Sequence, residues 1–211
     1  MDVMQEEATE DMEIMAGMTP SDKTYLRSTP FYLFKHRIPW LSLLMISATF
    51  TGLIITSFES ALAAQVALTA FIPMLMDTGG NSGSQASTMI IRGMAVDEIE
   101  LKDILKVIWK ELRVGMMCGA LLAVINFVRL MIMYPGETLI CGIVAVSMFL
   151  TVILAKSLGA LLPMAAKAMH LDPALMASPM LTTIVDACSM VIYFTLASHL
   201  LPIRGGSRDS P

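Results

Sequence analysis

Charge is scarce in this chain: Asp, Glu, Lys and Arg make up 15% of 211 residues, against about 25% in globular proteins. Hydrophobic side chains make up 55%, and the mean hydropathy is +0.69. A chain this short cannot hide so much apolar surface in one aqueous core, so an ordinary soluble domain is excluded. Aromatics are also few, at 7%, while 20 residues are Met; the apolar mass is therefore aliphatic and thioether. Only three cysteines occur, Cys118, Cys141 and Cys188, scattered through apolar runs with no CxxC pair. That spacing excludes a disulfide-stapled module and a thiolate metal site, and reads as small buried hydrophobes. The three histidines, His36, His170 and His199, all fall at the ends of apolar runs without a nucleophile beside them, so no enzyme is expected. With a net charge of −4, no nucleic-acid partner is expected either.

Residues 1–22 lack Lys and Arg altogether but hold Asp2, Glu6, Glu7, Glu10, Asp11, Glu13 and Asp22. They read as an acidic, disordered cytoplasmic tail and not as a cleavable signal peptide.

What is abundant is long apolar sequence. A membrane helix needs about 20 predominantly apolar residues, and five candidates lie within a transmembrane domain spanning 38–201. The first is 38–58, opening on Pro39 and Trp40 at an interface. The second runs 61–91 and is interrupted at Asp77-Thr78-Gly79-Gly80-Asn81, where a broken helix is expected. The third, 112–133, ends in the turn Tyr134-Pro135-Gly136; the fourth, 138–162, ends at Pro163; the fifth runs from the N-cap Asp172 to about residue 201. Residues 95–111 mix aliphatic and charged side chains and read as a separate amphipathic helix at the inner surface. Residues 23–37 are a candidate interfacial or plug-like helix, and 202–211 an extracytoplasmic tail.

Eleven Lys and Arg fall on one side of these spans: Lys23, Arg27, Lys35 and Arg37, then Arg92, Lys102, Lys106, Lys110 and Arg113, then Lys156 and Lys167. Three, Arg129, Arg204 and Arg208, fall on the other. Short cytoplasmic loops accumulate such residues, so the N-terminus is expected in the cytoplasm and the C-terminus outside, in a multi-pass protein of the plasma membrane with lipid all round it.

Once the acids of the tail, the inner-surface stretch and the C-terminus are set aside, Glu59, Asp77, Glu137, Asp172 and Asp186 remain, all in spans or at their mouths. Asp186 lies 14 residues beyond Asp172, about 21 Å along a helix, near mid-membrane. A carboxylate there is costly unless paired or hydrated. Lys156 is the basic candidate set away from the ends of the spans, and it has the length to snorkel to the inner surface. The acids therefore point to a transient partner, a cation. Ser178, Thr182, Asp186, Ser189 and Tyr193 share one face of the last span, and Asp77, Asn81, Ser84, Gln85 and Thr88 share one face of the second. Hydrogen bonding between membrane helices accounts for the hydroxyls but not for Asp186. For Asp77, capping a helix that restarts after the glycines is an equal alternative. A helix broken at membrane depth would offer carbonyl oxygens to a cation. An all-oxygen donor set suits a hard cation such as magnesium or calcium, and the pattern alone does not choose between them.

The stretch Phe71-Ile72-Pro73-Met74-Leu75-Met76-Asp77-Thr78-Gly79-Gly80-Asn81-Ser82-Gly83-Ser84-Gln85-Ala86-Ser87-Thr88, continuing through Ile91-Arg92-Gly93-Met94-Ala95, resembles the signature of the MgtE family of magnesium transporters. Asp172-Pro173-Ala174 through Pro179, Thr182-Thr183 and Asp186 to Tyr193-Phe194 is similar to the family's last span. The resemblance implies a homodimeric five-span pore for Mg2+, with the ion path at the subunit interface, where the second and fifth spans of both copies meet. It implies a pore aspartate at Asp186, ion-facing oxygens at Asn81 and at the backbone of Gly79 and Gly80, polar lining from Thr182, and, more loosely, an outer-mouth acid at Glu59. Asp77, Gln85 and Ser178 are further candidate lining residues. Typical members also carry a cytosolic acidic domain and paired CBS domains that close the pore at high internal magnesium. None is recognisable in these 211 residues, and weaker gating is the expectation. A secondary exchanger coupled to protons or sodium is the alternative, since it could use the same acids.

Overall fold

Apolar runs bounded by caps, prolines and glycines fold into long helices in a computed structural model that describes residues 3–21, 23–59 and 66–201, apart from the side chains of residues 3–8 and Ser178. In order they are α1 (Val3–Met15), α2 (Pro30–Ser57), α3 (Ile72–Ala95), α4 (Ile104–Met133), α5 (Thr138–Ala168) and α6 (Ser178–Leu200). Short 3-10 turns, Val66–Phe71 and Pro173–Met176, lead into α3 and α6. Four segments are long and apolar enough to cross a membrane: Pro30–Ser57, Leu101–Met133, Thr138–Ala168 and Pro173–Leu200. The chain is thus an all-helical, multi-pass membrane protein, with no strand among the described residues. α3 has 24 residues, about 36 Å of helix, but its polar face dilutes its hydropathy.

α5 is the centre of the bundle, packed against α4, α3 and α6, while α3 and α6 also pack on each other. The largest apolar cluster joins Leu68, Leu75, Leu130, Val144, Met190 and Phe194 towards one end. Ile90, Met94, Ala160 and Met164 form another towards the opposite end of α3 and α5. α2 touches its own chain mainly along α6, and Thr51 is its one buried residue among those described.

Several expectations are corrected. The helix break at Gly79-Gly80 is absent: α3 runs unbroken from Ile72 to Ala95, and the irregular backbone lies earlier, in the Val66–Phe71 turn. The glycines serve close approach. A Cβ on Gly79 would meet Thr151 and Val185 at 2.8 and 2.9 Å, and one on Gly83 would stand 3.2 Å from the carbonyl oxygen of Ala155. Gly79 and Gly83 are four apart, as are Gly115 and Gly119 where α4 lies against the backbone of α5, so both pairs are small-residue seams between membrane helices.

The acidic segment is not a featureless tail. Val3–Met15 is helical, and α1 packs against the Pro173–Met176 turn. The separate inner-surface helix is also absent. After a short 3-10 turn at Leu101–Asp103 the chain enters α4 directly, because nothing between Ile104 and Met133 breaks a helix. Residues 30–37 are likewise the first turns of α2, begun by Thr29, whose hydroxyl accepts from the Tyr32 amide. α5 passes through Pro163 to Ala168; proline removes one ladder bond there without ending the helix.

Asp172 caps as expected, accepting from the Ala174 amide at 2.8 Å, but it caps the 3-10 turn and not α6 itself. Asp172→Ala is expected to cost about 1 kcal/mol, seen as a lower apparent unfolding temperature in detergent.

Candidate functional site

α3 has two unlike faces. Leu75, Gly79, Ser82, Gly83, Ala86, Ser87 and Ile90 are buried against α5 and α6, while Asp77, Asn81, Gln85 and Thr88 are exposed. The spacing of 77, 81, 85 and 88, at steps of four, four and three, makes this a continuous polar stripe. Where it meets α6, a cleft of about 170 Å³ is lined by Asp77, Gly80, Asn81, Ser84, Thr182 and Asp186, with Met76 at its edge. Below it, Asn81, Ser84, Gln85 and Thr88 line a broad groove along α3.

The structure therefore brings Asp186, Asn81, Gly80, Thr182 and Asp77 into one cleft. Gln85 lines the adjoining groove instead, and also a second cavity behind α3. Gly79 faces away, buried against Thr151 and Val185 in an unbroken helix. Its carbonyl belongs to the helical ladder and not to an open loop, so the backbone donors expected of a break are not provided. Glu59 is exposed just past the end of α2 and lines none of these clefts. The side chain of Ser178 lies outside the described residues.

The stripe on α6 divides into two parts. Thr182 and Asp186 are half-buried and open to the cleft, whereas Ser189 and Tyr193 are fully buried. The Ser189 hydroxyl donates to the Val185 carbonyl at 2.6 Å. The Tyr193 hydroxyl donates to the Leu68 carbonyl at 3.0 Å, tying the Val66–Phe71 turn down over the C-terminal half of α6. Ser189 is satisfied within its own helix and Tyr193 by the turn, and only the Thr182 and Asp186 part of the stripe stays open to a ligand. Tyr193→Phe is expected to cost about 1–2 kcal/mol by leaving that carbonyl unpaired. It should lower thermal stability while leaving the cleft's charge unchanged.

Lys156 does not snorkel. It is 5% exposed, and its ammonium reaches α3, with Nζ 3.5 Å from the Ser82 carbonyl oxygen and 3.4 Å from Gln85 Oε1. Its side of the helix could have been read from Gly159, three residues on, where α5 meets Gly83 of α3.

No cluster of three or more His, Cys, Asp or Glu occurs among the described residues. Two carboxylates with neutral oxygens around them form a weak donor set, suited to an ion that keeps much of its water. A polar, acid-lined cleft set among apolar spans defines a polytopic membrane protein. A profile of the divalent cation transporters called MgtE matches residues 72–196, and the chain belongs to that family, a family of transporters and not of enzymes. It is 35% identical over 201 residues to the magnesium transporter MgtE of Thermus thermophilus and 36% identical over 205 residues to that of Bacillus subtilis. The magnesium transporter MgtE of Enterococcus faecalis is 27% identical over 200 residues. Each comparison covers 95% of this chain but 43–44% of the relative; the chain spans less than half the length of the relatives it matches.

Proposed function

We propose that two copies of this chain form a channel-like pore for magnesium in the plasma membrane, with Asp186 of each copy drawing the ion to the subunit interface. The observation that carries this reading is the cleft that sets Asp186, Asp77, Asn81 and Thr182 on an open polar face of a largely apolar bundle. In lipid an exposed stripe such as Asp77, Asn81, Gln85 and Thr88 is costly, and a second copy laid against it would enclose the stripe in water. α3 then counts as a fifth span, shielded from lipid by its neighbours. Five spans and the bias of Lys and Arg leave the N-terminus in the cytoplasm and the C-terminus outside.

Magnesium sheds water reluctantly and usually keeps several waters while touching one or two carboxylates. Asp186 would hold it through water, with Asn81, Thr182 and Asp77 as polar lining and Gly80 leaving room. Weak, water-mediated holding permits both entry and release, as conduction requires. The names of the relatives supply the choice of magnesium over calcium.

The test is magnesium uptake into vesicles reconstituted with the protein, at several voltages, with and without proton or sodium gradients. Flux that follows the electrochemical gradient of magnesium alone is expected. Flux that demands a proton or sodium gradient would instead establish a coupled exchanger.

A further inference from the structure

A buried ammonium in a membrane helix needs a counter-charge, and Lys156 has no carboxylate within 4.0 Å among the described residues. Its two polar partners, the Ser82 carbonyl and the Gln85 side-chain oxygen, are neutral and at the long end of hydrogen bonding. The cavity it faces, about 370 Å³ between α3, α4 and α5, is also lined by Asp77 and Asn81. Those two residues line the Asp186 cleft on the other side as well. Asp77 thus stands on the ridge of α3 between a fixed cation on one side and the acid of the cleft on the other.

We propose that Lys156 is a tethered competitor of the transported cation: its ammonium balances Asp77 across the shared cavity when the cleft is empty, and an arriving divalent ion must win Asp77 from it. This rests on the pore reading above. Two carboxylates in one cleft repel each other and attract a divalent ion strongly. A positive charge held behind them relieves the first effect and weakens the second. The protein thereby avoids holding its ion too tightly to release it. Asn81, which borders both spaces, carries the polar path between them.

Equilibrium magnesium binding, followed as ion-induced thermal stabilisation of the full chain in detergent, and magnesium flux in vesicles are measured together. Lys156→Met and Lys156→Gln are both expected to lower the half-saturating magnesium concentration by about threefold to thirtyfold, the order expected for removing one unit charge across a shared, partly polar cavity. Lys156→Gln keeps a polar group within reach of Ser82 and Gln85, so it provides the answer if Lys156→Met does not fold. Lys156→Arg, which keeps the charge, should stay within about twofold of the unaltered protein. In an Asp77→Asn background the shift should vanish, since the group competed for is gone.

Half-saturation unchanged in folded Lys156→Gln protein overturns the proposal, as does a shift of equal size in the Asp77→Asn background. The pore reading fails separately, if Asp186→Ala leaves flux undiminished whatever Lys156 does to binding.

Discussion

Asp186→Ala is expected to reduce magnesium flux about a hundredfold. The magnitude follows from charge and distance. A carboxylate acting on a doubly charged ion through one water, about 6 Å away, contributes roughly 1.4 kcal/mol even at the dielectric constant of bulk water. In the proposed dimer two such contributions are lost, and the less polar surroundings of a membrane helix increase each of them. Asp186→Asn has almost the same shape and should fail nearly as badly, which separates charge from packing. Because Asp186 is half-buried and open to the cleft, neither change should disturb the bundle. The cross-linking pattern and the unfolding temperature should match those of the unaltered protein. Undiminished ion-specific uptake by either variant would remove Asp186 from the pathway.

The second large effect concerns stability. A Cβ on Gly159 would fall on the carbonyl oxygen of Gly83, with the Ala86 methyl 3.0 Å away. Neither backbone can give way without moving a whole helix, so Gly159→Ala is expected to cost about 1–3 kcal/mol and Gly159→Leu more. Gly142→Ala, at a position where an added Cβ meets nothing within 4 Å, is the matched control and should change little. Because α3 also carries Asn81 and Asp77, forcing it away from α5 should lower flux as well as the apparent unfolding temperature. A Gly159→Leu protein as stable as the control would mean the seam is looser than its geometry.

Composition alone made the membrane legible, since lipid is the only solvent that tolerates this balance of apolar and charged groups. Each polar stripe was legible by itself, because residues three or four apart on a helix must share a face; that the two stripes adjoin was an implication of the family resemblance, and Asp77, Asn81 and Ser84 line one cleft with Thr182 and Asp186. What periodicity could not reveal was the use of the glycines. Gly79-Gly80 next to Asn81 is a strong breaker signal in water, where an open helix is readily solvated, and a weak one in lipid, where the unbroken ladder is the cheapest way to satisfy the backbone. The G-x-x-x-G spacing of 79 with 83 was the signal that favoured packing. Lys156 was misjudged for a related reason. Its reach to the inner surface was evident from side-chain length, but whether it turned outward or towards α3 depended on which face of α5 is central, and that is a property of the assembled bundle. The helix at Val3–Met15 likewise owes its place to a contact, with the Pro173–Met176 turn, that no local window contains.

The unbroken course of α3 has a mechanical side. From Asp77 to Met94 is 17 positions of continuous helix, about 26 Å. Near its end the Met94 carbonyl accepts from the Lys167 ammonium at 3.4 Å, and glycines along it are keyed into α5. A rod gripped in this way does not hinge at its middle. A displacement applied near Met94 arrives at Asp77 as a shift or rotation of the same stiff body, so the two ends of this helix can only move together.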